Sequence, residues 1–272
     1  MFHMKSNDGT KIAVYVYNPH GEKTVVMVHG WPLSAKIYEY QLKMLIDSNF
    51  RVVTLDLRGF GNSDVPACTY TYDQMAADLY YVIQNLGIKK FTLVGFSMGG
   101  AIVLRYMRLF RSYGVEKLIL LAAAAPKWTK GVGYPFGHTK SYVNSLIDLA
   151  MEDRPLLAEN FSCQLFHSPQ SKAAVDWFRD IALSASGIGT VETAISLRDE
   201  DGRIDLSHVK VPTTIIHGQM DEVVSNDLAM IQHKAINSSK LYNLENSGHG
   251  IMYDELKQFN RIFLSEVKSI DC

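Results

Sequence analysis

Cysteine is scarce in this chain. The 272 residues hold three, Cys68, Cys163 and Cys272, odd in number and far apart. That spacing suits neither a disulfide framework nor a thiolate metal site, and it fits a reducing compartment. Neither sign of charge is in excess, since 27 Lys and Arg stand against 28 Asp and Glu, for a formal net charge of -1. Such a balance gives no electrostatic support to binding nucleic acid or an anionic membrane. No apolar run approaches the ~20 residues that a membrane-spanning helix needs. The first nine residues lack the basic-then-apolar order of a secretory signal, so a cytoplasmic location is expected. There is no internal repeat, low-complexity tract or long linker. What is present is an ordinary globular balance, 47% hydrophobic and 20% charged, in a length that suits one large α/β domain or two small ones.

Two kinds of strand signal occur. Thr10 to Asn18 alternates apolar and polar residues, with Ile12, Val14 and Val16 on one side, as a half-buried strand does. Five later runs are short and nearly continuous in apolar residues: Thr24 to Val28, Arg51 to Leu55, Phe91 to Val94, Lys117 to Leu121 and Thr213 to Ile216. Strands covered on both faces of a parallel sheet read this way. Lys240 to Leu244 is a further strand-like run. Helix patterns lie between them. Thr71-Tyr72-Asp73-Gln74 has the form of a capping box, Met75, Leu79, Val82, Ile83 and Leu86 follow at helical spacing, and Gly87 closes the helix. Further helices are expected over Met98 to Arg111 and Asp254 to Lys268. The alternation predicts a doubly wound, mostly parallel eight-stranded sheet with an antiparallel start.

The rhythm stops between Lys127 and His208. No strand is evident there, and aromatic residues accumulate: Trp128, Tyr134, Phe136, Tyr142, Phe161, Phe166, Trp177 and Phe178. The expectation is a core made of residues 1–126 and 209–272, with 127–208 inserted as a helical cap. Such an insertion would emerge at the carboxyl ends of the strands, where open α/β sheets bind ligands. Most of these aromatics are expected to be the cap's own core, with a few facing the pocket.

Gly95-Phe96-Ser97-Met98-Gly99 joins a strand to a helix. A Gly-x-Ser-x-Gly in that place is the sequence form of a nucleophile elbow, a turn so sharp that its serine is strained and only glycines leave room around it. The pattern alone arises by chance in roughly one chain of this length in ten, so its surroundings decide. A serine hydroxyl needs a base, and the base needs an orienting acid. Both follow in the order expected for this turn. His217-Gly218-Gln219-Met220-Asp221-Glu222 comes after the Thr213 strand, and Ser247-Gly248-His249 comes after the Lys240 strand. Ser97, Asp221 and His249 are therefore expected on one edge of the sheet.

With these motifs together, the chain resembles an α/β-hydrolase, and more closely the cofactor-free haloperoxidase, perhydrolase and arylesterase branch. The segments that carry the resemblance are Val28 to Ser34, Asp56 to Asp64, Leu93 to Gly100, Ile216 to Asp221 and Ser247 to His249. It implies Ser97 as nucleophile, His249 as general base and Asp221 as the acid that fixes the imidazole, with the neighbouring Glu222 set aside. Some relatives carry the acid after the strand that follows the nucleophile helix, but that place reads Ala122 to Ala125 here. The backbone N–H groups of Trp31 and Met98 are implied as the oxyanion hole. His29, Asp56, Arg58, Asp64 and His217 are expected to brace loops.

Trp31, Pro32 and Phe96 are expected at the substrate. Pro32 lacks an N–H and pushes Trp31 toward extended angles. Members of the branch with Trp-Pro at this place are associated with peracid formation, which implies either that the Trp31 carbonyl accepts a hydrogen bond from hydrogen peroxide or that Pro32 only stiffens the loop. The implied activity is hydrolysis of small apolar or aromatic esters without metal or cofactor, with oligomers as in related proteins. Serine-triad carbon–carbon bond hydrolases and lactonases, and triad proteins that bind a small signal for a protein partner, share these motifs.

Overall fold

The continuous apolar runs become the inner strands of a single sheet. The computed structural model describes residues 1–269. Its strands are β1 (Phe2–Lys5), β2 (Lys11–Tyr17), β3 (Lys23–Val28), β4 (Phe50–Leu55), β5 (Phe91–Phe96), β6 (Val115–Leu121), β7 (Thr213–Gly218) and β8 (Ser239–Leu244). They lie in the order β1-β2-β4-β3-β5-β6-β7-β8. The β1–β2 and β2–β4 pairs are antiparallel and every later pair is parallel. Val25 to Val28, Leu93, Val94, Leu118 to Leu121, Ile215 and Ile216 are fully buried. Each such side chain contributes ~1.5–3 kcal/mol relative to exposure. β1 escaped the sequence reading because its residues are mostly exposed and show no alternation. It is set by its register with β2, Phe2 opposite Val14 and Lys5 opposite Lys11.

The helices are α1 (Glu39–Asp47), α2 (Tyr72–Asn85), α3 (Met98–Leu109), α4 (Lys140–Glu152), α5 (Arg154–Gln164), α6 (Lys172–Leu183), α7 (Gly187–Asp199), α8 (Asn226–Ala235), α9 (Ile251–Asp254) and α10 (Leu256–Lys268). Three details differ from the sequence expectation. The capping box forms by half. Thr71 Oγ1 accepts from the Gln74 N–H at 3.3 Å, but the Gln74 amide turns to Asn7 and Asp78. α3 stops at Leu109, because Arg111 and Ser112 take left-handed angles. The closing helix is broken at Glu255, which leaves the helical region with φ -120° and ψ 50°. The reason is polar. Asp254 and Glu255 turn their carboxylates back to accept N–H groups of Asn246, Gly248, His167 and Ser168.

Four helices, α4 to α7, stand between β6 and β7, preceded by isolated bridges such as Thr129 with His138 and followed by a short 3-10 turn, Asp205–His208. Buried ion pairs fasten the layers. Arg58 meets Asp78 through two bonds of 2.6 Å. Arg105 on α3 holds Asp205 at 2.8 Å and Glu200 at 3.1 Å, and also Asp73. The helix behind Ser97 is thereby tied to the end of the inserted segment. The thiols of Cys68 and Cys163 are free and exposed, and Cys272 lies outside the described residues.

Glu266 on α10 is the tie with the clearest pH signature. Burial alone would raise its pKa, but hydrogen bonds from Lys117 (2.8 Å), Tyr242 and Thr214 outweigh that and hold it at about 2. A carboxyl with a depressed folded pKa stabilises fully above its unfolded value and loses that stabilisation as pH falls toward the folded one. Glu266→Gln also leaves Lys117 buried without its counter-charge, which should cost on the order of 3 kcal/mol at pH 7. Urea unfolding of both proteins should show the gap narrowing below about pH 4.5. A gap independent of pH would contradict the assignment.

Candidate active site

The sheet order places the site. From β3 the chain moves outward to β4, and from β5 it moves the other way to β6, so β3 and β5 are neighbours that wind apart. Open α/β sheets form a crevice beyond the carboxyl ends of such strands. Here the β3 loop, Gly30-Trp31-Pro32, meets the β5 loop, which is Ser97. The Trp31–Pro32 peptide is cis. The backbones approach so closely that a side chain on Gly30 would strike Ser97 Cβ. One on Gly99 would strike the Val28 and His29 carbonyls, and one on Gly100 would strike Ala123. This packing is why the motif needs its glycines, and why the residues after β6 are small alanines.

Ser97 has φ 54° and ψ -121°, a region that residues with side chains rarely occupy. Such strain costs about 1–3 kcal/mol and persists only where surrounding structure enforces it. It sits at the N-cap of α3, where a serine oxygen normally accepts from the first-turn N–H groups. The Ser97 side chain makes no such cap bond. Its hydroxyl donates instead to His249 Nε2 at 2.9 Å, and His249 Nδ1 donates to Asp221 Oδ2 at 2.8 Å. The three residues named from sequence are thus brought together by loops after β5, β7 and β8, and all three are buried. Glu222 is exposed.

Asp221 is held by more than His249. Its Oδ1 accepts the N–H groups of Val223 and Val224 at 2.9 and 2.7 Å. His217 Nε2 lies 3.4 Å from Oδ2 and donates to the Val224 carbonyl at 2.8 Å. His217 Nδ1 is buried without a partner. Burial pushes the His217 pKa down despite the nearby Asp221, so its ring stays neutral. The His249 loop is packed directly on the acid loop, since a side chain on Gly218 would strike the Ser247 and Gly248 carbonyls.

The expected braces have bracing geometry. His29 Nδ1 donates to the Gly30 carbonyl at 2.8 Å and its Nε2 accepts the Leu57 N–H at 2.9 Å. Burial lowers its pKa, which keeps it neutral. Asp56 accepts from the Ala35 and Asn62 N–H groups and from the Tyr15 hydroxyl. Asp64 accepts from the Lys11 N–H, and Arg58 holds Asp8 and Asp78.

The Met98 amide, first in α3, has no intrahelical acceptor. Among the described residues neither it nor the Trp31 amide donates to a backbone carbonyl. Two buried N–H groups beside a hydroxyl can stabilise negative charge on a substrate oxygen.

A cavity of about 90 Å³ lies beside Trp31 and Val223, and none of Ser97, Asp221 and His249 is in its wall. Trp31, Trp128, Tyr142, Leu149, Phe161 and Val223 are among the residues in its wall. Trp31 is in this wall, its indole donating to the Thr190 carbonyl at 2.9 Å and its ring edge-to-face with Phe161. The Phe96 ring is buried against His249 at 4.9 Å, and neither Phe96 nor Pro32 is in the cavity wall. The inserted aromatics divide as well. Trp128, Tyr142 and Phe161 face the cavity, whereas Phe166, Trp177 and Phe178 pack around Tyr253. Val223 was missed from sequence; its position two residues after the acid was the available signal. A roomier hollow at the amino ends of β3, β5 and β6 is at the opposite edge of the sheet from Ser97.

Comparison with known proteins agrees with this geometry. A family profile described as alpha/beta hydrolase fold matches residues 23–256. The chain is 43% identical to the AB hydrolase superfamily protein YisY of Bacillus subtilis, over 89% of this chain and 90% of that one. It is similar to the solved structure of an esterase from Exiguobacterium antarcticum, with a TM-score of 0.96, 41% identity and coverage of 98% and 99% of the two chains. A bromoperoxidase from Bacillus anthracis matches with a TM-score of 0.92 and 31% identity, over 98% of this chain and all (100%) of that one.

The contact of the two loops can be tested through Gly218. Gly218→Ala should cost ~1–3 kcal/mol in urea unfolding by overpacking. It should also weaken reactivity of Ser97 toward a fluorophosphonate, because the acid and the base are pushed apart. Unchanged stability would show that the two loops are not packed as described.

Proposed function

The chain belongs to the α/β-hydrolase family and is a hydrolytic enzyme, and on that premise we propose that it cleaves small carboxylic esters through an acyl-enzyme on Ser97. The observation that carries this reading is the continuous path from the Ser97 hydroxyl through His249 to Asp221. In it Ser97 Oγ attacks the ester carbonyl while His249 Nε2 takes the hydroxyl proton. Asp221 keeps the Nδ1–H tautomer and balances the imidazolium that forms. The tetrahedral oxyanion lies between the N–H groups of Trp31 and Met98. His249 then returns the proton to the leaving alcohol. A water molecule, deprotonated by His249, attacks the acyl carbonyl and releases the acid and the free serine. No step calls for a metal or an organic cofactor.

The cavity beside Trp31 supports the substrate class of this reading. Its wall is largely apolar and aromatic and carries no charged side chain, so it suits a short apolar or aromatic group and disfavours a charged one. Residues 127–208, with α4 to α7, act as the cap in this reading, since Trp128, Tyr142, Leu149 and Phe161 all come from it.

A second nucleophile is favoured by the Trp31-Pro32 pair. The Trp31 carbonyl accepts no backbone hydrogen bond among the described residues, and in this reading it accepts one from hydrogen peroxide. Peroxide would then compete with water for the acyl-enzyme and yield a peracid. Pro32→Leu should lower the ratio of perhydrolysis to hydrolysis by several-fold, on the scale of one hydrogen bond. An unchanged ratio would remove this reading and leave ester hydrolysis standing.

The main test pairs Ser97→Ala with a fluorophosphonate probe and a series of p-nitrophenyl esters. Labelling should vanish, and turnover should fall by at least ~1000-fold, with the melting temperature unchanged or raised. Rapid labelling of the wild type without ester turnover would instead favour a lactone, a carbon–carbon bond substrate or a small-signal receptor. Absence of labelling would sink the serine mechanism.

A further inference from the structure

One backbone carbonyl near the triad accepts two side-chain hydrogen bonds. The Trp128 indole N–H reaches the Val223 carbonyl at 2.8 Å, and His138 Nε2 reaches it at 2.9 Å. Because the acceptor is a carbonyl, His138 carries its hydrogen on Nε2. Both donors come from the segment after β6, while Val223 is in the loop after β7. The two rings brace each other edge-to-face at 5.1 Å, and His138 also stacks on Tyr142 at 4.4 Å. The donors are therefore held in place before they meet Val223.

Val223 faces the triad with its other polar group. Its N–H donates to Asp221 Oδ1 at 2.9 Å, next to the Val224 N–H at 2.7 Å. One residue thus hands its N–H to the acid and its carbonyl to the inserted segment. His217 holds the following carbonyl, that of Val224, from the sheet side. The loop that fixes one oxygen of Asp221 is clamped from both directions. Without the outer clamp, the Val223–Val224 peptide could rotate, and Oδ1 would lose the Val224 N–H, which shares one plane with the clamped carbonyl. The imidazole of His249 follows that plane, and catalytic groups tolerate misplacement of only about half an ångström.

We propose that Trp128 and His138 are positioning residues for Asp221, acting through the Val223–Val224 peptide, so that the inserted segment sets the acid of the triad. The inference rests on the serine-triad reading above. His138 is the residue to test, because Trp128 also lines the cavity and His138 does not. His138→Phe keeps a ring against Tyr142 and removes the N–H, and His138→Gln keeps a donor.

The measurement is kcat and KM for p-nitrophenyl acetate, butyrate and benzoate, per active site titrated with a fluorophosphonate. His138→Phe should lower kcat about tenfold by a similar factor for all three esters, with KM within about twofold of wild type. His138→Gln should recover most of the loss. An unchanged kcat, a loss confined to KM, a loss that grows with acyl size, or an equal loss in His138→Gln would each overturn the proposal. Should His138→Phe melt far below wild type, His138→Leu supplies the same comparison. A wild type that neither labels nor turns over would defeat the triad reading itself, whereas an active wild type beside an unimpaired His138→Phe would defeat only the clamp.

Discussion

Everything at this site depends on three backbones meeting without side chains between them. β3, β5 and the start of α3 converge where Gly30, Gly95, Gly99 and Gly100 leave no Cβ to hold them apart. The contact forces Ser97 into its positive-φ turn and sets its hydroxyl off the helix axis, where it cannot cap α3. It also puts the Trp31 loop beside the serine, with two amides free of backbone acceptors. The strain at Ser97 is sustained by the burial of the surrounding strands, whose apolar residues are almost wholly removed from water.

The polar groups around this contact fall into two electrostatic kinds. His29 and His217 are buried, neutral and engaged with backbone carbonyls, so burial has made them braces rather than proton carriers. Asp221 accepts from fixed amides on one oxygen and from His249 on the other. A carboxylate held this way keeps its orientation toward the imidazole beside it. The difference between the three histidines is therefore one of partners: only His249 has a carboxylate on one nitrogen and a hydroxyl on the other.

The inserted helices are bound into the core by more than packing. Arg105 ties their far end to the nucleophile helix, Trp31 bonds to the Thr190 carbonyl, and the loop before α6 bonds to Asp254. The cavity wall is built from these same helices and from Trp31 and Val223. The cavity wall and the loop that holds Asp221 thus share supporting residues, Trp128 and Val223.

Most of the sheet was legible because parallel strands covered on both faces carry nearly continuous apolar runs, as β3 to β7 do. The elbow was legible because its strained turn excludes side chains, and the order of Ser97, Asp221 and His249 followed from the loops in which they sit. β1 was not legible, because an exposed edge strand carries no pattern of its own. The break at Glu255 was not, because it answers to amides in another loop. Nor could side-chain type say that Phe96 would lie beneath His249 while Trp128, Tyr142 and Phe161 turned to the cavity, since all four are equally apolar. The sheet and the turn at Ser97 can be read from the residues themselves, because each follows from periodicity and local sterics, and the order of Ser97, Asp221 and His249 from the loops that carry them. Which aromatics line the cavity and how the loop of Asp221 is held were settled by folding, because those contacts join residues about a hundred positions apart.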